Sequence, residues 1–408
     1  MASRVVIALL VALARVAVHA EDWPQFRGPT GQGHSTERGL PLEWSESHNI
    51  IWKTPVPGRG WSSPVVAAGR IWLTSAVRER DGASLRALAY DVATGRELLN
   101  VELFRLRDAK LLNPKNSHAS PTPVVDGDRV YLHFGAEGTA AMTTAGEIVW
   151  RTRVPFVNQH GSGGSPVLYE DLLIFNCDGW DAAFVVALDA RTGKVRWKTN
   201  RRSPADQAYT TPLVIRVGDR DQVVSAGAYR AAAYDPRSGR EIWRVAYADG
   251  FSNVPRPVYG HGMVFIATGF QQPSLIAVRA DGTGDVTKTH TVWTQQRAAP
   301  LTPSPLLVGE VLYTVSDIGI AAALDARTGA PHWIQRLGGN YSASPVFADG
   351  RIYFQSEEGV TTVAAPGTEF RVLAKNQLDG GMLASMAVSD GSIVIRTESH
   401  LYRIGASR

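Results

Sequence analysis

Nine residues standing just ahead of a recurring dipeptide carry most of the chemistry this sequence could do: Trp61, Asn116, His118, His160, Tyr209, Asn253, Arg256, Asn340 and Tyr341. They lie in the stretches GRGWSS, NSHAS, QHGSGGS, QAYTT, SNVPR and GNYSAS, which resemble one another in position but not in wording. Two imidazoles, a guanidinium, three amides and two phenols brought to one place would bind a carboxylate-bearing ligand. The same groups could instead satisfy one another and water in a polar channel, which is the simpler reading. His118 and His160 come from successive stretches and could meet, but no third ligand accompanies them, so no metal site is expected.

Other reactive-looking stretches dissolve on inspection. HGSGGSP at 160–166 lacks the Lys-Ser/Thr ending of a phosphate loop and leads into a strand, so Gly161, Gly163 and Gly164 are assigned to close packing or a tight bend. Asp126 and Asp128 read as turn residues, because the oxygen ligands of a calcium loop stop after Asp128. Asp178 and Asp181, flanking Trp180, read as a solvated turn. Cys177 is the only cysteine, which excludes an intrachain disulfide and fits a small buried side chain. No zinc-protease, Walker or serine-elbow motif occurs.

The elements that must position these residues repeat along the chain. The dipeptide occurs as Ser63-Pro64, Thr122-Pro123, Ser165-Pro166, Thr211-Pro212, Arg256-Pro257, Ser304-Pro305 and Ser344-Pro345, with a decayed copy at Ser385-Met386. Most spacings are in the forties, the period of a four-stranded propeller blade. Within each unit a tight-turn signal is followed by a β-branched and aromatic run such as RIWLTS or RIYFQS, as strands covered on both faces require. A phrase such as ALDARTGKVRW then closes the unit, with Asp189 bonding across the turn and Gly193 taking a left-handed conformation. Trp52, Trp150, Trp197, Trp243, Trp293 and Trp333 share one place on the fourth strand. Each is expected to dock on the neighbouring blade, and its indole N–H needs one partner.

These patterns predict an all-β, eight-bladed propeller of four-stranded antiparallel blades. The last unit lacks a fourth strand, and NIIWKTPV at 49–56 matches the missing one, so the N-terminal strand is expected to close the ring. Residues 49–408 then form the propeller and 21–48 a lead segment. Residues 1–20 read as a signal peptide cut after Ala20, with Arg4 ahead of a short apolar run and small residues at its end. The longer segment 104–120 stretches the first interval and is expected to be a partner-docking insertion.

Bulk properties agree. A chain of 408 residues with 44% hydrophobic and 20% charged residues can bury a large core. Without residues 1–20 the 42 Lys and Arg fall to 40, against 38 Asp and Glu, so no nucleic-acid partner is expected. No later stretch could span a bilayer, which points to an exported, soluble, periplasmic or secreted protein.

The pattern A-x-D-A-x-T-G-x-x-x-W in ALDARTGKVRW and ALDARTGAPHW, with DWPQFRGPTGQG at 22–33, resembles the PQQ-like repeat proteins of the quinoprotein-dehydrogenase-like superfamily, in particular those similar to the BamB outer-membrane assembly factor. The resemblance implies either a cofactor-free scaffold or a dehydrogenase carrying pyrroloquinoline quinone. In the larger enzymes of the superfamily it implies a quinone stacked between a Trp and a disulfide of adjacent cysteines, with calcium held by Glu, Asn and Asp. The lone Cys177 departs from that set. The expectation is a non-catalytic binding or scaffold protein for a protein or envelope partner, with no cofactor. The alternative is a quinone-and-calcium-dependent oxidoreductase with an atypical site.

Overall fold

A computed structural model describes residues 21–107, 109, 112–201, 204–247 and 250–406. The expected signal peptide and its cleavage point lie outside the described residues. From the first Ser-Pro pair onward the chain folds into eight sheets in sequence order, the blades of a propeller, each built on four antiparallel strands. In blade 3 the strands are Val167–Tyr169, Leu172–Asp178, Ala183–Asp189 and Val195–Asn200, from the channel outward. The second and third strands are almost wholly buried, whereas on the fourth Trp197 is buried between exposed neighbours. This is the expected pattern for inner strands covered on both faces and an outer strand covered on one.

Closure follows the predicted route. The strand Ile50–Pro55 pairs antiparallel with His400–Ile404, setting Trp52 opposite Arg403 and Thr54 opposite Leu401. The ring therefore has no open seam, and its ends are joined by backbone hydrogen bonds. The core sits between blades: one cluster joins Leu132 and Met142 of blade 2 to Leu85 and Trp72 of blade 1, and another joins Val186 of blade 3 to Tyr131 of blade 2.

The tryptophans and the turns form one joint. Asp189 Oδ1 accepts from the Arg191 and Thr192 N–H groups and from the Thr192 hydroxyl, holding the turn. Gly193, at φ +71°, lies flat on the Trp150 ring of the preceding blade, where a Cβ would fall 2.6 Å from the indole. Trp150 donates its indole N–H to Ala190 O in that same turn at 2.9 Å. Trp52 to Val92 O, Trp197 to Pro236 O, Trp293 to Ala326 O and Trp333 to Gly367 O repeat the bond.

Trp243 also docks on its neighbour, in one cluster with Val264 and Ile276 of blade 5, but its bond runs differently. Its N–H goes to Gln222 Oε1 in its own blade at 2.8 Å, and Gln222 Nε2 donates on to Ala280 O of blade 5 at 3.2 Å. The cause lies in blade 5, where the short turn is replaced by a longer connection whose residues Gly284–Asp285 pair in parallel with Trp243 and Arg244. Gln222 relays a contact that is direct elsewhere.

The lead segment is structural throughout its length. Trp23 pairs with Val66 of blade 1, Pro24 O accepts from Val125 of blade 2, and Ser35 donates to Phe347 O of blade 7. It thus crosses the face that carries the short turns after each first strand. In blade 7 Ala374 stands opposite Val363, the register position of the tryptophans elsewhere. Trp44 packs into that cluster, stacked on Tyr353, and its backbone N–H goes to Asn376 Oδ1 at 2.9 Å.

Segment 104–120 is only partly an insertion. Residues up to Arg107 belong to the outer strand Glu97–Arg107, and the hairpin Arg70–Glu79 and Gly82–Asp91 has arms of ten residues. Long strands therefore account for much of the first interval, and the described residues from 112 onward run to the channel mouth.

Candidate functional site

The recurring dipeptide builds the waist of the channel. The backbone N–H of each residue before proline donates to the hydroxyl of its counterpart in the next blade: Ser63 to Thr122, Thr122 to Ser165 and Ser165 to Thr211, then Arg256 to Ser304, Ser304 to Ser344 and Ser344 to Ser385, all at 2.8–3.0 Å. The belt breaks at blade 5 because Arg256 carries no hydroxyl. Proline follows without cost, since it needs no donor at this position. Each of these six acceptor hydroxyls takes one N–H and has its own hydrogen to offer a ligand or water.

Above the belt lies a cup of about 400 Å³. Phe26 of the lead segment forms its floor, and Trp61, Tyr209, Phe270, Val254, Leu301 and Leu383 give it apolar wall. Polar groups come from the belt hydroxyls and from Asn113, Lys115, Asn116, His160, Thr302, Asp317 and Ser342.

Four of the nine expected residues line the cup: Trp61, Asn116, His160 and Tyr209. The Trp61 indole N–H is buried without a partner, with Arg59 over the ring at 5.6 Å. Asn116 Oδ1 accepts from the Ser117 N–H and the Ser120 hydroxyl, and its amide donates to His160 O, which ties the lead-ins of blades 2 and 3 together. The His160 ring lies 6.4 Å from that of Tyr209. The Tyr209 hydroxyl donates to Gln207 Oε1, and burial pushes its phenol up, out of the titrating range.

The other five fall elsewhere. His118 is half-buried and off the cup wall, so the two histidines do not meet there. Asn253 is buried and spends its amide on Gly227 O, Tyr247 Oη and Gly250 O, with Oδ1 accepting from Gly269. Asn340 is exposed and bonds Glu358, while Tyr341 is core, its phenol pushed up to about 12 by burial. Arg256 lies below the cup, with Nη1 on Phe26 O at 2.7 Å. A lead-in position alone does not decide whether a side chain faces the channel or turns into a blade.

Two acidic residues were not anticipated. Lys115 reaches from the lead-in of blade 2 across the mouth to Glu357 of blade 7 at 2.9 Å and Asp317 of blade 6 at 3.9 Å. Asp317 also accepts from Leu301 N, Thr302 N and the Thr302 hydroxyl, and Glu357 from the Ser342 hydroxyl. Arg59 secures the strap from below by donating to Pro114 O at 2.8 Å. Both carboxylates sit in turns between second and third strands, and only ring closure brings them opposite a lysine some two hundred positions earlier.

Asp178 is a correction. It is fully buried and forms a bidentate pair with Arg201, Nε to Oδ1 at 2.7 Å and Nη2 to Oδ2 at 3.0 Å, with Ser225 completing the guanidinium's bonds. Neighbouring Trp180 is exposed and Asp181 takes the Val157 N–H, as a turn would have it. Cys177 is buried, and desolvation raises its thiol pKa well above the usual value.

The sequence profile of a PQQ-like repeat family described as outer membrane protein assembly factor BamB matches residues 35–159 and 284–380, just over half of the chain. The protein belongs to that family. Among solved structures, BamB from Moraxella catarrhalis aligns at a TM-score of 0.62 and 12% identity, covering 88% of this chain and 98% of the other. A europium-containing methanol dehydrogenase aligns at 0.70 and 9% identity, covering 95% and 98%. Among curated proteins none matches. At these identities the structural likeness establishes the propeller and nothing finer.

The donor set differs from the one the resemblance implies for quinone and calcium. Among the described residues no three His, Cys, Asp or Glu side chains are grouped to hold a metal. The cup's own carboxylates are shared between a lysine and the turns they brace. Cys177 lies within blade 3, without a second thiol to form a disulfide.

Proposed function

We propose that this BamB-like propeller is exported and non-catalytic, and that it binds a protein or envelope partner at the mouth of its cup. The observation that carries the reading is the strap, in which Lys115 ties Asp317 and Glu357 across the opening. Groups so engaged hold chain segments in place and are poor candidates for proton transfer or metal binding. Around them stand hydroxyls, amides and aromatic rings from many blades, a surface suited to recognition. Family membership supports an envelope location, and residues 1–20 have the pattern of an export signal. No described helix is long and apolar enough to cross a membrane.

The dehydrogenase alternative is tested by titrating the purified protein with pyrroloquinoline quinone plus calcium or europium, by calorimetry and by dye reduction with alcohols and sugars. The expected result is neither heat of binding nor reduction. Stoichiometric quinone binding with turnover would replace the scaffold reading by the enzymatic one.

A further inference from the structure

Beneath the cup the lead segment buries two arginines side by side. Arg256 donates from Nε to Pro212 O at 3.0 Å and from Nη1 to Phe26 O at 2.7 Å. Arg27 donates from Nη2 to Gln32 O at 2.9 Å and Pro345 O at 3.4 Å, while its Nε and Nη1 are buried with no partner among the described residues. The loop is cut to admit both groups. A Cβ on Gly31 would run into the Arg256 guanidinium, and one on Gly33 would lie 2.6 Å from Arg27 Nη2. Gly31 and Gly33 also hold φ of +69° and +84°, so their glycine identity is doubly required.

The electrostatics of this arrangement lack a component. Burial, with the neighbouring Arg256 in the case of Arg27, lowers both guanidinium pKa values to about 9, which leaves both cationic at neutral pH. Among the described residues no carboxylate acts on either group. The contrast with Arg201, equally buried and paired with Asp178, shows how this fold treats a buried guanidinium when it supplies the counter-charge itself. An uncompensated buried charge is costly, and two adjacent like charges compound the cost. Anions, by contrast, are bound well by guanidinium N–H groups. A route also exists: a cavity of about 460 Å³ between the lead segment and blades 3 to 5, walled by Gln25, Thr30, Gln32, Arg216 and Tyr259, ends on Arg256.

We propose that a small inorganic anion binds in the waist of the channel against Arg27 and Arg256, entering from the lead-segment face. Its charge completes the plug, so seating of the lead segment and closure of the cup floor depend on it. The site is independent of whatever binds at the mouth.

The test is thermal unfolding of the whole protein at fixed ionic strength, with chloride or inorganic phosphate replacing gluconate stepwise, alongside a crystal grown in bromide. The expected result is a saturable rise in Tm with chloride or phosphate, the arm that responds naming the ion, and an anomalous bromide peak within hydrogen-bonding distance of both guanidinium groups. R27Q should flatten the Tm response. A Tm indifferent to both anions, or a peak found only elsewhere, would overturn the proposal. Should R27Q fail to fold, the two wild-type measurements still decide.

Discussion

Two sets of carboxylates, one on each face of the propeller, are used in opposite ways. On the turn face Asp91, Asp189, Asp235 and Asp325 each bond groups within their own hairpin, copy after copy. On the mouth face Asp317 and Glu357 brace different strands and meet Lys115 from across the ring, an arrangement that occurs once among the described residues. The residue types are the same. What separates structure from candidate function is whether the network recurs from blade to blade, because a repeated network can only serve the feature that repeats.

Breaking the turn face should cost the most. Trp197→Ala removes a ring buried against blade 4 and its bond to Pro236 O, and should lower unfolding free energy by roughly 3–5 kcal/mol in denaturant melts. Unchanged stability would mean that the tryptophans are not the joints between blades. Gln222→Leu should cost about 1–3 kcal/mol, since it strands the buried Trp243 N–H, and Trp243→Phe in the same background should recover part of the loss.

A pH series sharpens the contrast further. Asp325 is held below the ordinary carboxylate range by the Thr328 hydroxyl and backbone, and Asp91 likewise by Thr94. A depressed folded-state pKa contributes stability that is present above the unfolded value, about 4, and is lost as pH falls through the lower folded value. Acid titration followed by circular dichroism should therefore show Tm falling below about pH 4. The fall should be shallower in Asp325→Asn. The smallest effect belongs to the mouth: Lys115 is half exposed, so Lys115→Ala should change stability by less than about 1 kcal/mol. A large loss would make the strap part of the scaffold.

Legibility in the sequence followed the same division. The blade count, the closing strand and the tryptophan joints could be read because each repeats a local pattern with a fixed spacing. The Gln222 relay at Trp243 could not be read, because it depends on the neighbouring blade's connection, which departs from the repeat. Asp178 was misread as solvated because nothing near it in sequence announces Arg201, the partner that makes its burial tolerable. The cup was half legible. Lead-in positions identified Trp61, Asn116, His160 and Tyr209, but the same positions in blades 5 and 7 turn Asn253 and Tyr341 into the core. Lys115, Asp317 and Glu357 come together only through closure of the ring, a contact with no local signature. A polar lead-in longer than its counterparts, as in NPKNSHAS, was the one available hint.

The central claim is that the singular face binds the macromolecular partner and the repeated face does not. Photo-crosslinking residues placed one at a time at Asn113 on the mouth and at Arg191 on the turn face, in cells expressing the full chain, test it most directly. The account predicts a discrete crosslinked species from position 113, weakened by Lys115→Ala, and none from position 191. A discrete product from position 191 alone, or equal products from both, would contradict it.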